Sequence, residues 1–125
     1  MKSDAFQRAA EAKDFSQISE LFTEDVTFKS PVVFKPYEGP EALAMLLSAV
    51  VQVFEDFRYV EQVETGDTAV LMFEANVGDK AVQGVDILRF AGDGRVSEMI
   101  VMVRPMSGMH ALADRMKAML EAAGA

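Results

Sequence analysis

Cysteine is missing from this chain altogether, and histidine occurs once, at position 110. Without thiols there is no disulfide, no thiolate nucleophile and no thiolate metal site, which fits a reducing compartment. One imidazole cannot build a histidine-rich zinc site, and a hydrolytic triad would have to recruit His110 alone. His110 follows Ser107 and Gly108 at the start of an amphipathic run, where a solvated helix-end histidine is the commoner arrangement, so it is not counted among the site residues. Positive charge is also scarce. Twelve basic residues face 20 acidic ones, a net charge of -8, and the resulting field repels phosphate backbones and anionic lipid surfaces. Nucleic acid and membrane are therefore excluded as expected partners. The opening stretch MKSDAFQRAAEAKD is charged and holds no apolar run long enough for a signal peptide or a membrane span, so the cytoplasm is the expected compartment. No repeat, low-complexity segment, phosphate loop, cofactor fingerprint or metal-ligand cluster is visible, and neither cofactor nor metal is expected.

What is present suits one globular domain over residues 1–125, half of them hydrophobic, enough for a real core. Helices come first and strands later, the pattern of an α+β domain with helices packed against an antiparallel sheet. Asp4 to about Ala12 reads as a short helix. Asp14, with Gln17 three residues on, reads as the N-cap of a second helix whose apolar face is Phe15, Ile18, Leu21 and Phe22. Glu24 and Asp25 read as a solvated turn before a strand at VTF, and Pro31 and Pro36 break regular structure. Gly39-Pro40 opens a longer helix carrying Leu43, Leu46, Leu47, Val50, Val51 and Phe54 at helical spacing. Turn signals at Gly66-Asp67, Gly78-Asp79 and Gly92-Asp93-Gly94 then divide four strands of a meander: Phe57 to Glu64, Thr68 to Val77, Ala81 to Phe90 and Arg95 to Arg104. A final helix, Met109 to about Ala122, carries Leu112, Met116, Met119 and Leu120 on one side and is placed to act as a lid. The last two strands are apolar on both faces, as expected if helices cover one face and a second subunit covers the other in a twofold homodimer.

The informative residue is Asp86. In VQGVDILRF, alternation sets it on the same strand face as Val82, Leu88 and Phe90. Burying a lone carboxylate costs several kcal/mol or more, so such a group is paired, hydrogen-bonded or held protonated. A protonated carboxyl is a hydrogen-bond donor. Either Asp86 presents that donor to a ligand in an apolar pocket, or a neighbouring hydroxyl such as Ser30 or Tyr37 satisfies it and its role is architectural. Tyr59 shares its strand face with Phe57 and Val63 by simple alternation, a core position with the hydroxyl reaching an edge.

The order of elements, together with particular motifs, is similar to the cone-shaped, cystatin-like fold of the nuclear transport factor 2-like superfamily. FTEDVTFKSPVVFKPYEGPEAL resembles the ketosteroid isomerase branch in its aromatic, acidic pair, Val-Thr-hydrophobe, Pro-Val and Pro-x-x-Gly. VDILRFAGDGRVSEM resembles that branch's hydrophobe-Asp-x-hydrophobe-Arg-Phe strand and Gly-turn, and VMVRP with a Met-rich helix resembles SnoaL-like members. The resemblance implies that Asp86 corresponds to the protonated aspartate that donates to the substrate oxyanion. It also implies two losses: Phe6 stands where the branch has an oxyanion-binding tyrosine, and Ser30 where it has the general-base aspartate. An unassisted serine hydroxyl lies far from the pKa range that a base needs. Ketosteroid isomerase activity is accordingly not expected. Nor is an epoxide hydrolase-like site, since Arg89 lies on the face opposite Asp86 and no second inward carboxylate is apparent.

Two functions follow as expectations. In the first, a small hydrophobic carbonyl- or phenol-type molecule occupies an apolar pocket anchored by Asp86 and contacted by Phe6, Phe28, Ser30, Tyr37, Tyr59, Met99 and Val101, with isomerase-, cyclase- or hydratase-like proton transfer as the accessible chemistry. In the second, the chain is a non-catalytic binding or dimerisation module. A continuous pocket reaching Asp86 favours the first. A cone packed shut by Phe6, Phe28 and Met99 favours the second.

Overall fold

Strict alternation builds the sheet. In the computed structural model, which describes residues 1–122, Ala69, Leu71, Phe73, Ala75 and Val77 all turn inward from β4 (Thr68–Val77), and Val82, Gly84, Asp86, Leu88 and Phe90 turn inward from β5 (Lys80–Phe90). These strands form the centre of a curved meander with β3 (Glu55–Thr65) and β6 (Val96–Arg104). β1 (Phe22–Lys29) and the two-residue β2 (Tyr37–Glu38) extend it to six strands in the order β2-β1-β6-β5-β4-β3. The sequence reading expects an antiparallel sheet, and one pair departs from it: β1 runs parallel to β6 because α3 (Pro40–Val53) and the meander intervene before the chain returns beside it.

Helices α1 (Asp4–Ala12) and α3 cover the inner face, with α2 (Ile18–Leu21) as a single turn between α1 and β1. Leu43, Leu46, Leu47 and Val51 of α3 are buried against the sheet. Phe6, Phe15 and Phe22 pack as an aromatic triad, with centroids 5.6 Å apart for Phe6 and Phe15 and 6.3 Å for Phe6 and Phe22. Each such side chain contributes about 1.5–3 kcal/mol when fully buried. A polar clamp fixes where α1 lies: the Glu64 carboxylate of β3 accepts from the backbone N–H groups of Lys2 and Ser3 and from the Ser3 hydroxyl at 2.6 Å. That clamp holds Phe6 over the sheet.

α4 (Met106–Ala122) begins one turn earlier than the sequence indicates and crosses β5 where Gly108 meets Val82. A Cβ at Gly108 would collide with the Val82 side chain, so the close crossing needs glycine there. Leu112 is buried, and Arg115 reaches Glu55 at 3.9 Å. The helix is thus anchored at its N-terminal half while its C-terminal half extends over the sheet. None of the helices among the described residues is long and apolar enough to cross a membrane.

Local expectations fail where side chains compete with regular structure. Asp14 does not cap a helix: its carboxylate accepts from the Ser16 N–H, and the helical turn starts four residues later at Ile18. Glu24 and Asp25 are exposed residues within β1, in the stretch where its register against β6 shifts, and not a turn before it. Tyr37 belongs to β2 and pairs with Phe28, where the flanking prolines suggested a loop. Val63 is 53% exposed, because a bulge between Tyr59 and Glu61 reverses the facing of the rest of β3.

Candidate functional site

Between the inner sheet face, α1, α3 and α4 lies a cavity of about 500 Å³, in the size range of small-molecule sites. Phe6, Phe28 and Met99 stand in its walls without closing it, and Asp86, Ser30, Tyr37, Tyr59 and Val101 also line it. The structure therefore brings together all eight residues singled out from the sequence. They come from α1, β1, the β1–β2 loop, β2, β3, β5 and β6, and the sheet order sets Ser30 and Tyr37 near one edge and Tyr59 at the other.

Asp86 is 5% exposed and lies between Leu71 of β4 and Val101 of β6. Its hydroxyl partner is neither Ser30 nor Tyr37. The Tyr59 hydroxyl donates to Asp86 Oδ2 at 2.6 Å, while the Ser30 hydroxyl accepts from the Val32 and Val33 N–H groups and so organises its own loop. Burial pushes the Asp86 carboxyl up to about 7, with the Tyr59 hydrogen bond pulling the other way. Burial, the Asp86 charge and the bond to Asp86 hold the Tyr59 phenol well above its usual range, with a smaller push from the charge of Glu11. Among the described residues no fully buried side-chain nitrogen or oxygen lacks a partner. Asp86 Oδ1, which takes no hydrogen bond, is thus an oxygen still open to the cavity.

Tyr59 of β3 reaches Asp86 of β5 across the one strand between them, β4, for reasons legible in the packing. Tyr59 pairs with Phe73, and Phe73 with Gly84. A Cβ at Gly84 would overlap the Phe73 ring, so glycine lets that ring lie over β5. Tyr59 stands edge-on to Phe57 at 4.9 Å and to Phe73 at 6.4 Å, geometries that aromatic quadrupoles favour. The Tyr59/Glu61 bulge completes the arrangement by ending regular alternation just beyond the tyrosine.

Sequence reasoning missed the rim. Asp114, Lys117 and Glu121 of α4 line the cavity beside Leu112, Met116 and Leu120, so carboxylates other than Asp86 do border it, at exposed positions. Helical spacing named the apolar stripe of α4, and the charged residues alongside it carried no separate signal. Arg89 lies outside, ion-paired with Glu98 at 2.8 Å. His110 is exposed in the second turn of α4. No group of three or more histidine, cysteine, aspartate or glutamate side chains among the described residues could hold a metal ion.

A SnoaL-like domain matches residues 4–99. Among solved structures, a steroid delta-isomerase from Pseudomonas aeruginosa is 38% identical, with 97% of this chain and 90% of that one covered and a TM-score of 0.93. An uncharacterised bacterial protein with a cystatin-like fold from Silicibacter pomeroyi DSS-3 is 32% identical over 94% of this chain and 83% of that one, with a TM-score of 0.89. An nuclear transport factor 2-like protein of unknown function from Mesorhizobium loti shares the fold at 23% identity, 83% and 88% coverage and a TM-score of 0.73. No curated protein matches. The match over most of the chain, on a cystatin-like architecture, establishes that the chain belongs to the SnoaL-like domain family.

Proposed function

We propose that the protein binds a small, neutral, hydrophobic molecule carrying a carbonyl, enol or phenol oxygen, with that oxygen held at Asp86. The observation that carries this reading is an open, largely apolar cavity ending on a buried carboxyl whose pKa of about 7 keeps it protonated below neutrality. A neutral acid in apolar walls donates one strong, oriented hydrogen bond, the usual design of such a site. The relative named a steroid delta-isomerase points to cyclic ketones within this class. Any turnover is proton transfer, as in isomerisation, cyclisation or hydration, with Asp86 as the acid. Base-driven ketosteroid isomerisation is outside the reading, because Ser30 is committed to its own loop and Phe6 has no hydroxyl. The cysteine-free composition fits action in the cytoplasm.

Calorimetric titration of a panel of naphthols, naphthyl ketones and a 3-keto-Δ5 steroid at pH 6 tests this. Saturable one-to-one binding of neutral oxygen-bearing members, without migration of the steroid double bond, is the expected result. A panel that fails to bind defeats the ligand reading and leaves a non-catalytic dimerisation module, while isomerisation of the steroid means that another group acts as the base.

The outer sheet face supports a second proposal, a twofold homodimer. Val70, Met72, Val85, Ile87, Ile100 and Met102 form an outward apolar strip, with Met72 38% and Met102 56% exposed. A contiguous strip of this kind on a sheet is characteristic of interfaces. Sedimentation at micromolar concentration is expected to give twice the chain mass, and Met102→Glu to give the monomer. A wild-type protein that sediments as a monomer removes the proposal.

A further inference from the structure

Three independent features converge on one contact: the bulge after Tyr59, the edge-on packing of its ring against Phe57 and Phe73, and the missing side chain at Gly84 that lets Phe73 lie flat. Together they bring the Tyr59 hydroxyl to Asp86, where it donates to Oδ2 and leaves Oδ1 without a protein partner beside the cavity.

We propose that Tyr59 is a positioning residue: by occupying Oδ2 it makes Oδ1 the oxygen that carries the proton of Asp86 and donates it in a hydrogen bond to the ligand oxygen. The inference rests on the ligand reading above and adds the orientation of the acid. A neutral carboxylic acid has one carbonyl and one hydroxyl oxygen. A donor fixed on Oδ2 favours the state in which Oδ2 is the carbonyl, so the proton sits on Oδ1. The same bond favours the ionised form relative to an acid without it, and it therefore makes Asp86 a stronger donor.

The groups that face Asp86 allow this effect to be isolated. Leu71 and Val101 flank it on β4 and β6 and do not titrate. The other titratable residues lining the cavity are Tyr37 on β2 and Asp114, Lys117 and Glu121 on α4. Glu11 of α1 acts on Tyr59 through its charge.

Carbon-13 labelling of aspartate carboxyls, with Asp86→Asn to assign the resonance, reads the Asp86 titration without a ligand. In wild type the midpoint lies near 7. Tyr59→Phe keeps the ring packing and removes the donor, so the midpoint moves to higher pH. In parallel, 2-acetylnaphthalene, which does not ionise, binds wild type with an affinity that falls about tenfold per pH unit above that midpoint. In Tyr59→Phe the low-pH affinity drops about threefold to tenfold, the size of one neutral hydrogen bond, and the decline begins at higher pH. Should Tyr59→Phe not fold, fluorotyrosine at position 59 in a Tyr37→Phe background supplies a stronger donor of nearly the same shape, and the midpoint moves down. A midpoint that stays in place in either protein while the ketone still binds overturns the role of Tyr59 alone. Absence of ketone binding by wild type at every pH overturns the ligand reading, and the Oδ1 donor with it.

Discussion

Asp86→Leu is expected to reduce, and Asp86→Leu combined with Tyr59→Phe to erase, the preference of the cavity for a ketone over its hydrocarbon isostere. In wild type at pH 6, 2-acetylnaphthalene should bind about tenfold to a hundredfold more tightly than 2-isopropenylnaphthalene, because a ligand without oxygen leaves a buried donor unpaired at a cost of about 1–3 kcal/mol. The ratio matters more than either affinity, since both ligands sense any change in cavity shape alike. Leucine fills the position and donates nothing. It also frees the Tyr59 hydroxyl, which otherwise bonds Asp86 at 2.6 Å and then becomes a substitute donor. The full effect is therefore read in Asp86→Leu combined with Tyr59→Phe, where the ratio falls to about one. A ratio that stays high in this folded double variant would assign oxygen recognition elsewhere on the lining, with Tyr37 and Ser30 as the first residues to examine.

The second large effect concerns stability. In the folded protein the Asp86 carboxyl holds its proton up to about pH 7, whereas its ordinary value is 3.8. Between these values the folded state binds the extra proton, so stability is full below about pH 4, declines as pH rises toward 7 and is level above it. The whole difference amounts to about 4 kcal/mol, at about 1.4 kcal/mol per pH unit. Asn cannot ionise, accepts the Tyr59 hydrogen bond and keeps a donor toward the cavity. Asp86→Asn should therefore be more stable than wild type by about 2–4 kcal/mol at pH 8, roughly 10 °C in melting temperature for a chain of this size. The two proteins should converge near pH 4. Denaturant unfolding from pH 4 to 8 measures this, and parallel curves for the two proteins would mean that Asp86 is already ionised throughout. Divergence of the two curves above pH 4 would mean that wild type carries a destabilising carboxyl at neutrality, the pattern of a group kept for its chemistry and not for the fold.

Much of this architecture was legible in the chain because it depends on short-range pattern. The ends of α1 at Asp4 and Ala12 and of β4 at Thr68 and Val77 follow directly from periodicity and turn residues. Asp86 was legible as inward-facing because β5 alternates without a bulge across its central residues. Its partner was not. Counting by twos along β3 sets Val63 beside Tyr59, and only the bulge, which depends on pairing with β4, turns Val63 outward. Ser30 and Tyr37 looked equally able to reach Asp86 because distance across a sheet has no local signature.

The α+β class, the meander, the inward carboxyl and the lack of thiol chemistry are legible in the chain alone, since composition and periodicity are properties of neighbours along it. Tertiary structure alone decided that the cavity remains open at about 500 Å³, that Tyr59 binds Oδ2, and that Asp114, Lys117 and Glu121 border the site. Each of these depends on strand order, on a register shift or on the angle at which α4 crosses β5 at Gly108. Those are relations between segments far apart in sequence, fixed only when the segments pack.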